Sequence, residues 1–180
     1  MSLIRYATPR RRIHPATVSL AAVAFLLAIY LPAPARGATE FHGRVVGIAD
    51  GDTITVLHDG RAEKIRLYGI DAPEKSQAFG ERAKQFTSGL AFGQTVSVRV
   101  RDHDRYRRTV GEVILPDGRS LNEELVRAGY AWWYRRYSRD RKLAHLEQEA
   151  RDAHRGLWAD PHPVPPWDFR RGGTLTLTRS

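Results

Sequence analysis

The chain has 180 residues, a formal charge of +9 from 29 Lys and Arg against 20 Asp and Glu, and no cysteine. The missing cysteines exclude a disulfide framework and a lipidated N-terminal cysteine, and 42% hydrophobic residues with 27% charged is the composition of a folded globular chain rather than a disordered one. A cationic balance of this kind draws polyanions, nucleic acid or an anionic envelope surface among them, and raises encounter rates with them.

The first 35 residues hold Arg5, Arg10, Arg11 and Arg12 and no acid, then the apolar run Thr17 to Leu31 and the small-residue site Ala33-Pro34-Ala35. This is the pattern of a secretory signal peptide, too short in its apolar core for the roughly 20 residues of a spanning helix. Export to a secreted or periplasmic location is expected, with an uncleaved N-terminal membrane anchor as the alternative. Removing the leader takes four charges from +9 and leaves +5, so the basic bias survives. Residues 36–40 read as a linker, 41–160 as one folded domain and 161–180 as a Pro-rich extended tail.

Three strands are expected first: Gly43 to Ile48, Thr53 to Leu57 and Ala62 to Tyr68, the last two joined at Asp59-Gly60, a strong two-residue hairpin turn. Phe79 to Ala91 spaces Phe79, Ala83, Phe86 and Leu90 as one apolar helical stripe. Gln94 to Val100 alternates strictly and reads as a half-buried strand, and Thr109 to Leu115 as a fifth. Ser120 with Glu123 forms a capping box for a short helix that Gly129 ends. Ser138 to Arg155 reads as a third helix with Leu143, Leu146, Ala150 and Ala153 inward. The extended tail is expected to be pinned by Trp158 and Trp167. The histidines show no metal-binding spacing.

Two acidic blocks carry the chemistry: Asp50-Gly51-Asp52-Thr53 and Arg66-Leu67-Tyr68-Gly69-Ile70-Asp71-Ala72-Pro73-Glu74. Folding at Asp59-Gly60 sets Asp71 two to four residues past the partner of Asp52, at the open end of a hairpin, where the two carboxylates can share a cation. Hard oxygen donors suit Ca²⁺ or Mg²⁺, with water and a phosphate oxygen completing the shell. Glu74, beyond the rigid Pro73, is free to hold a water as general base. Arg66 offers a planar fork of donors to a phosphate.

The blocks DGDT, RLYGIDAPE and DRYRR (Asp104 to Arg108) resemble the staphylococcal nuclease (thermonuclease) family over Phe41 to Trp158. The resemblance implies an α+β fold, a five-stranded OB-type β-barrel with three helices, acting as a monomer without a stable protein partner. It also implies a Ca²⁺-dependent nuclease of DNA and RNA that leaves 3′-phosphates. Asp52, Asp71 and the Ala72 carbonyl would then bind Ca²⁺, Glu74 would be the base, and Arg66 and Arg108 would hold the phosphate. Tyr106, Tyr134 and Tyr137 would contact the nucleotide. The family has glycine where this chain has Arg107. Either Arg108 keeps its role on a stiffer backbone, because Arg reaches positive φ less cheaply than Gly, or Arg107 takes part of it. The alternative from another class is a non-catalytic OB-type module that binds single-stranded nucleic acid or an envelope partner.

Overall fold

The structure, a computed structural model, describes residues 39–172. The expected leader, residues 36–38 of the linker and the last eight residues lie outside the described residues. Among those described, no helix is long and apolar enough to cross a membrane.

Five strands close a barrel: β1 (Glu40–Asp50), β2 (Thr53–His58), β3 (Arg61–Leu67), β5 (Thr95–His103) and β6 (Thr109–Ile114), in the spatial order β1-β2-β3-β6-β5. β2 and β3 form the expected hairpin, Thr53 facing Arg66 and His58 facing Arg61. Its turn takes positive φ at both Asp59 and Gly60, the pair of values a type I′ turn requires. β1 pairs with β2 and with β5, and its ladder to β2 shifts register between Val45 and Gly47 and again between Ile48 and Asp50. Such bulges sharpen the bend that a small closed barrel needs. The barrel closes on a parallel contact, Ile65 to Leu67 of β3 against Thr109 to Gly111 of β6. Asn122 secures that seam from a buried position: its side chain accepts from Val113 N at 3.0 Å and donates to Tyr68 O at 2.9 Å.

Inside, Val45, Ile54, Val56, Ile65, Leu67, Val96, Val98 and Val113 are fully buried. The β-branched majority follows from the pleated, inward-facing positions they occupy. The helices α1 (Gly80–Ala91), α2 (Leu121–Arg127) and α3 (Arg141–Asp152) supply the rest of the core through Ala83, Leu125, Leu143 and Leu146. Ser120 caps α2 as its sequence predicts, accepting from Glu123 N at 3.5 Å, and Asp140 caps α3.

The differences from expectation have local causes. The face α1 buries is Gly80, Ala83, Thr87 and Ala91, Thr87 donating to Gly51 O at 2.6 Å, while Phe86 and Leu90 pack partly covered against the core. α3 ends at Asp152, so Ala153 is exposed, and the buried position that completes its stripe is the charged Glu147. Two short strands the sequence did not announce, β4 (Ile70–Asp71) and β7 (Trp132–Trp133), pair antiparallel. The segment after Asp160 is not extended throughout: Pro165-Pro166 leads into α4 (Pro166–Phe169), Pro at its first position being the tolerated place for it in a helix. The expectation that tryptophans pin this segment holds. Trp132 packs edge-on to Trp158 at 4.3 Å and to Trp167 at 5.6 Å.

Candidate active site

The acidic turn between β1 and β2 is wedged under the chain that carries Asp71. A Cβ on Gly51 would lie 2.8 Å from the Cβ atoms of both Ala72 and Ala83, so only glycine admits this approach. Asp52 beside it is buried. Its Oδ2 accepts from Ala72 N at 2.6 Å and its Oδ1 meets the Arg66 guanidinium. Asp71, on β4, has no exposed surface, and its Oδ1 accepts from Arg66 Nη2 at 2.6 Å. The hairpin register brings this about: Thr53 faces Arg66 and Leu67 N donates to Asp52 O at 2.9 Å, so Asp71 comes four residues past the partner of Asp52. Both carboxylates and Arg66 are therefore gathered as the two blocks predict.

Glu74 stands at the rim, about a third exposed. Its backbone N donates to Gln77 Oε1 at 3.2 Å, and Gln77 reaches across to Val164 O at 2.6 Å, which ties this loop to the C-terminal segment. A cavity of about 810 Å³ joins Asp52, Arg66, Asp71 and Glu74 to Arg108, with Tyr106, Tyr134 and Tyr137 also on its walls. Tyr106 and Tyr137 are largely exposed, as side chains offered to a ligand would be.

Arg107 resolves the altered motif. It takes φ of 63°, the left-handed conformation that glycine adopts without cost. The turn is kept, with Arg107 N donating to Asp104 O at 2.9 Å and Asp104 N to Arg108 O at 3.0 Å. Arg108 consequently faces the cavity, its Nε 2.7 Å from Asp104 Oδ2, whereas Arg107 is exposed and does not line it. Burial of Asp104 is outweighed by the backbone and side-chain hydrogen bonds from Arg108, which hold its carboxyl below the usual range.

Arg170, just past α4, is a site residue that the sequence reading missed. Its Nη2 lies 2.6 Å from Asp71 Oδ2 and its Nη1 2.6 Å from Glu74 Oε1, so one guanidinium bridges the buried acid and the rim acid. Hydrogen bonding to Asp71, then to Glu74, drives its pKa up, whereas burial pushes that of Arg66 down against the pull of Asp71. The available signal was Pro165-Pro166-Trp167, a helix start with an anchor, followed by the Arg170-Arg171 pair.

Among the described residues, no group of three or more His, Cys, Asp or Glu side chains is arranged to hold a metal ion. The donor chemistry still fits a hard divalent cation whose remaining ligands are main-chain carbonyl, water and phosphate oxygens. Two carboxylates converge here, and both oxygens of Asp71 already face positive charge.

Residues 64–160 match the family described as staphylococcal nuclease homologue. The chain is 42% identical to a micrococcal nuclease of Shigella flexneri, covering 87% of this chain and 94% of that protein. It is 48% identical to an uncharacterized endonuclease of Escherichia coli O157:H7, over 73% of this chain and 86% of the other. A protein named ParB from Escherichia coli is 46% identical over 84% and 90% of the two chains. With the barrel, the paired acids and the arginines in one cavity, these likenesses decide against the non-catalytic alternative: the chain belongs to the metal-dependent staphylococcal nuclease family and is a nuclease, a phosphodiesterase acting on nucleic acid.

Proposed function

We infer that the protein is an exported, Ca²⁺-dependent nuclease of DNA and RNA that leaves 3′-phosphate ends. The observation that carries this reading is the convergence of Asp52 and Asp71 under Arg66, with Glu74 and Arg108 on the walls of the same cavity. Asp52, Asp71 and the Ala72 carbonyl are the groups that would hold Ca²⁺, which when bound supplies charge stabilisation to the phosphate oxygens.

The chain's own residues divide the remaining work. Glu74 takes a proton from the attacking water. The water oxygen forms its bond to phosphorus in line with the departing 5′-oxygen, which leaves with the bonding pair and is protonated from solvent. Arg108 faces the phosphate oxygens on which negative charge grows, where a fork of charge-assisted donors is worth most. Arg66, bound to both aspartates, contributes positive charge and fixes the two carboxylates in place. A carboxylate is a weak base, so most of the acceleration comes from electrostatics and positioning.

Cleavage of matched DNA and RNA substrates with Ca²⁺, with EDTA and by Glu74→Gln tests this. Loss of turnover with EDTA and a drop of roughly 10²- to 10⁴-fold for Glu74→Gln are expected. Undiminished cleavage by the variant would remove Glu74 from the mechanism, and end-group analysis reads which P–O bond breaks. Export is supported by the Arg-rich start, the run Thr17 to Leu31 and the Ala33-Pro34-Ala35 site, and N-terminal sequencing of the mature protein checks it.

A further inference from the structure

A second opening of about 540 Å³ adjoins the active-site cavity and shares Arg105, Tyr134, Arg136 and Arg170 with it. Its other lining residues are Arg135, Trp167 and Arg171, so the whole opening is arginine and aromatic with no acid on its walls. Arg135 is neutralised by the buried Glu147 at 3.2 Å, and Arg171 is paired with the exposed Asp168. Arg105 and Arg136 have no carboxylate partner among the described residues. Arg105 donates to Tyr106 Oη at 2.6 Å, and Arg136 lies over the Tyr137 ring at 5.7 Å. Concentrating guanidinium groups on one wall costs self-repulsion that a polyanion would relieve.

The aromatic side of the opening is built as firmly. Tyr134 and Trp167 stack with ring centres 5.2 Å apart and planes within 5°, and Trp167 in turn rests on Trp132. Rigid, partly exposed rings beside uncommitted arginines are the combination that holds unpaired bases and their backbone. Three of the opening's seven lining residues, Trp167, Arg170 and Arg171, belong to the segment after residue 160, beyond the stretch that matches the family.

We propose that this opening is a second subsite, which binds the backbone phosphates of a single-stranded stretch flanking the scissile bond, with Arg105 and Arg136 as its main phosphate contacts and the Tyr134–Trp167 stack as a platform for a base. The proposal rests on the nuclease reading and specifies how the substrate strand leaves the reacting centre.

The test is equilibrium binding of fluorescein-labelled oligothymidylates of increasing length to the full chain in EDTA, so that no turnover intervenes, as a function of salt. The wild type should bind longer strands more tightly. Arg105→Ala with Arg136→Ala should remove most of that gain and flatten the salt dependence by about 1.4 in log–log slope, roughly 0.7 for each lost phosphate contact. Both side chains are exposed, so the fold should survive. The paired Lys variants, which keep the charge, should restore the slope.

An unchanged length profile and slope in the double Ala variant overturns the subsite, as does competition by a duplex of the same sequence as strong as that by the single strand. Cleavage of a dinucleotide substrate with Ca²⁺, run on the same proteins, keeps the two readings apart. Cleavage with a flat length profile sinks the subsite alone, and length-dependent binding without cleavage sinks the nuclease reading alone.

Discussion

Arg170 and Arg107 each show one side chain doing what another group ordinarily does. Arg170 holds Asp71 Oδ2 and Glu74 Oε1 at 2.6 Å each, so a divalent ion on Asp71 and the guanidinium compete for the same oxygens. Replacing Arg170 with Gln should therefore tighten binding of a cation probe such as Tb³⁺ by about threefold to tenfold, a gain of up to about 1.4 kcal/mol, read by sensitised luminescence. An unchanged affinity would mean that Arg170 leaves the carboxylates at no cost. Arg107 bears a left-handed backbone worth about 1–2 kcal/mol of strain in an L-residue. Arg107→Gly relieves the strain but gives back about 0.5–1 kcal/mol through the freer unfolded chain, so a gain below about 1 kcal/mol is expected. Arg107→Val, β-branched at positive φ, should lose more than about 1 kcal/mol. Urea unfolding of the three proteins gives the order directly.

At the scale of elements, the two-stranded patch of β4 and β7 decides where the site opens. Glu147, buried on α3, accepts from Trp133 N at 3.3 Å and pairs with Arg135 and Arg151, so one carboxylate ties the helix to β7 and, through β7, to Asp71. Glu147→Ala leaves a partly buried N–H and two guanidinium groups without their partner. A loss of about 1–2 kcal/mol is expected, because the solvent-accessible guanidinium groups stay solvated and mainly the hydrogen bonds to the charged carboxylate are lost, and thermal unfolding measures it. The hairpin, the strictly alternating β5 and the capped α2 were legible because each is governed by neighbours within a few residues: Asp59-Gly60 for the turn, a period of two for the strand, Ser120 with Glu123 for the cap. The acid pair was legible for the same reason, since hairpin register fixes it. β4, β7 and Glu147 were not, because a two-residue strand has no period and a buried glutamate reads as a solvated face until its partners are placed around it. Arg170 stayed hidden longest. Its partners Asp71 and Glu74 are nearly a hundred residues away, and only the docking of Trp167 on Trp132 and Tyr134 brings it to them.

For the whole molecule, the excess of Lys and Arg over Asp and Glu is put to use on one side. Asp52 and Asp71 lie deep in the cavity, whereas Arg105, Arg136, Arg170 and Arg171 surround the two adjoining openings. Below saturation, log(kcat/KM) on single-stranded substrate should fall linearly with log salt, with a slope between about −2 and −4 for three to six phosphate contacts. A slope near zero would mean that contacts to the bases carry recognition.

The carboxylates Asp52, Asp71 and Glu74 lie within residues 50–74, but the arginines of the site come from positions 66, 108 and 170. During synthesis the acids and Arg66 therefore exist long before Arg108 and Arg170. Arg108 is delivered by the strand it precedes, for β6 cannot pair with β3 until the intervening helix and β5 have been made. Barrel closure and assembly of the hydrolytic centre are thus one event with a high sequence separation, slow by the measure of loop entropy. A chain interrupted before residue 108 holds its acids without the phosphate-facing arginine, so the capacity to cut nucleic acid arises only once the barrel has closed.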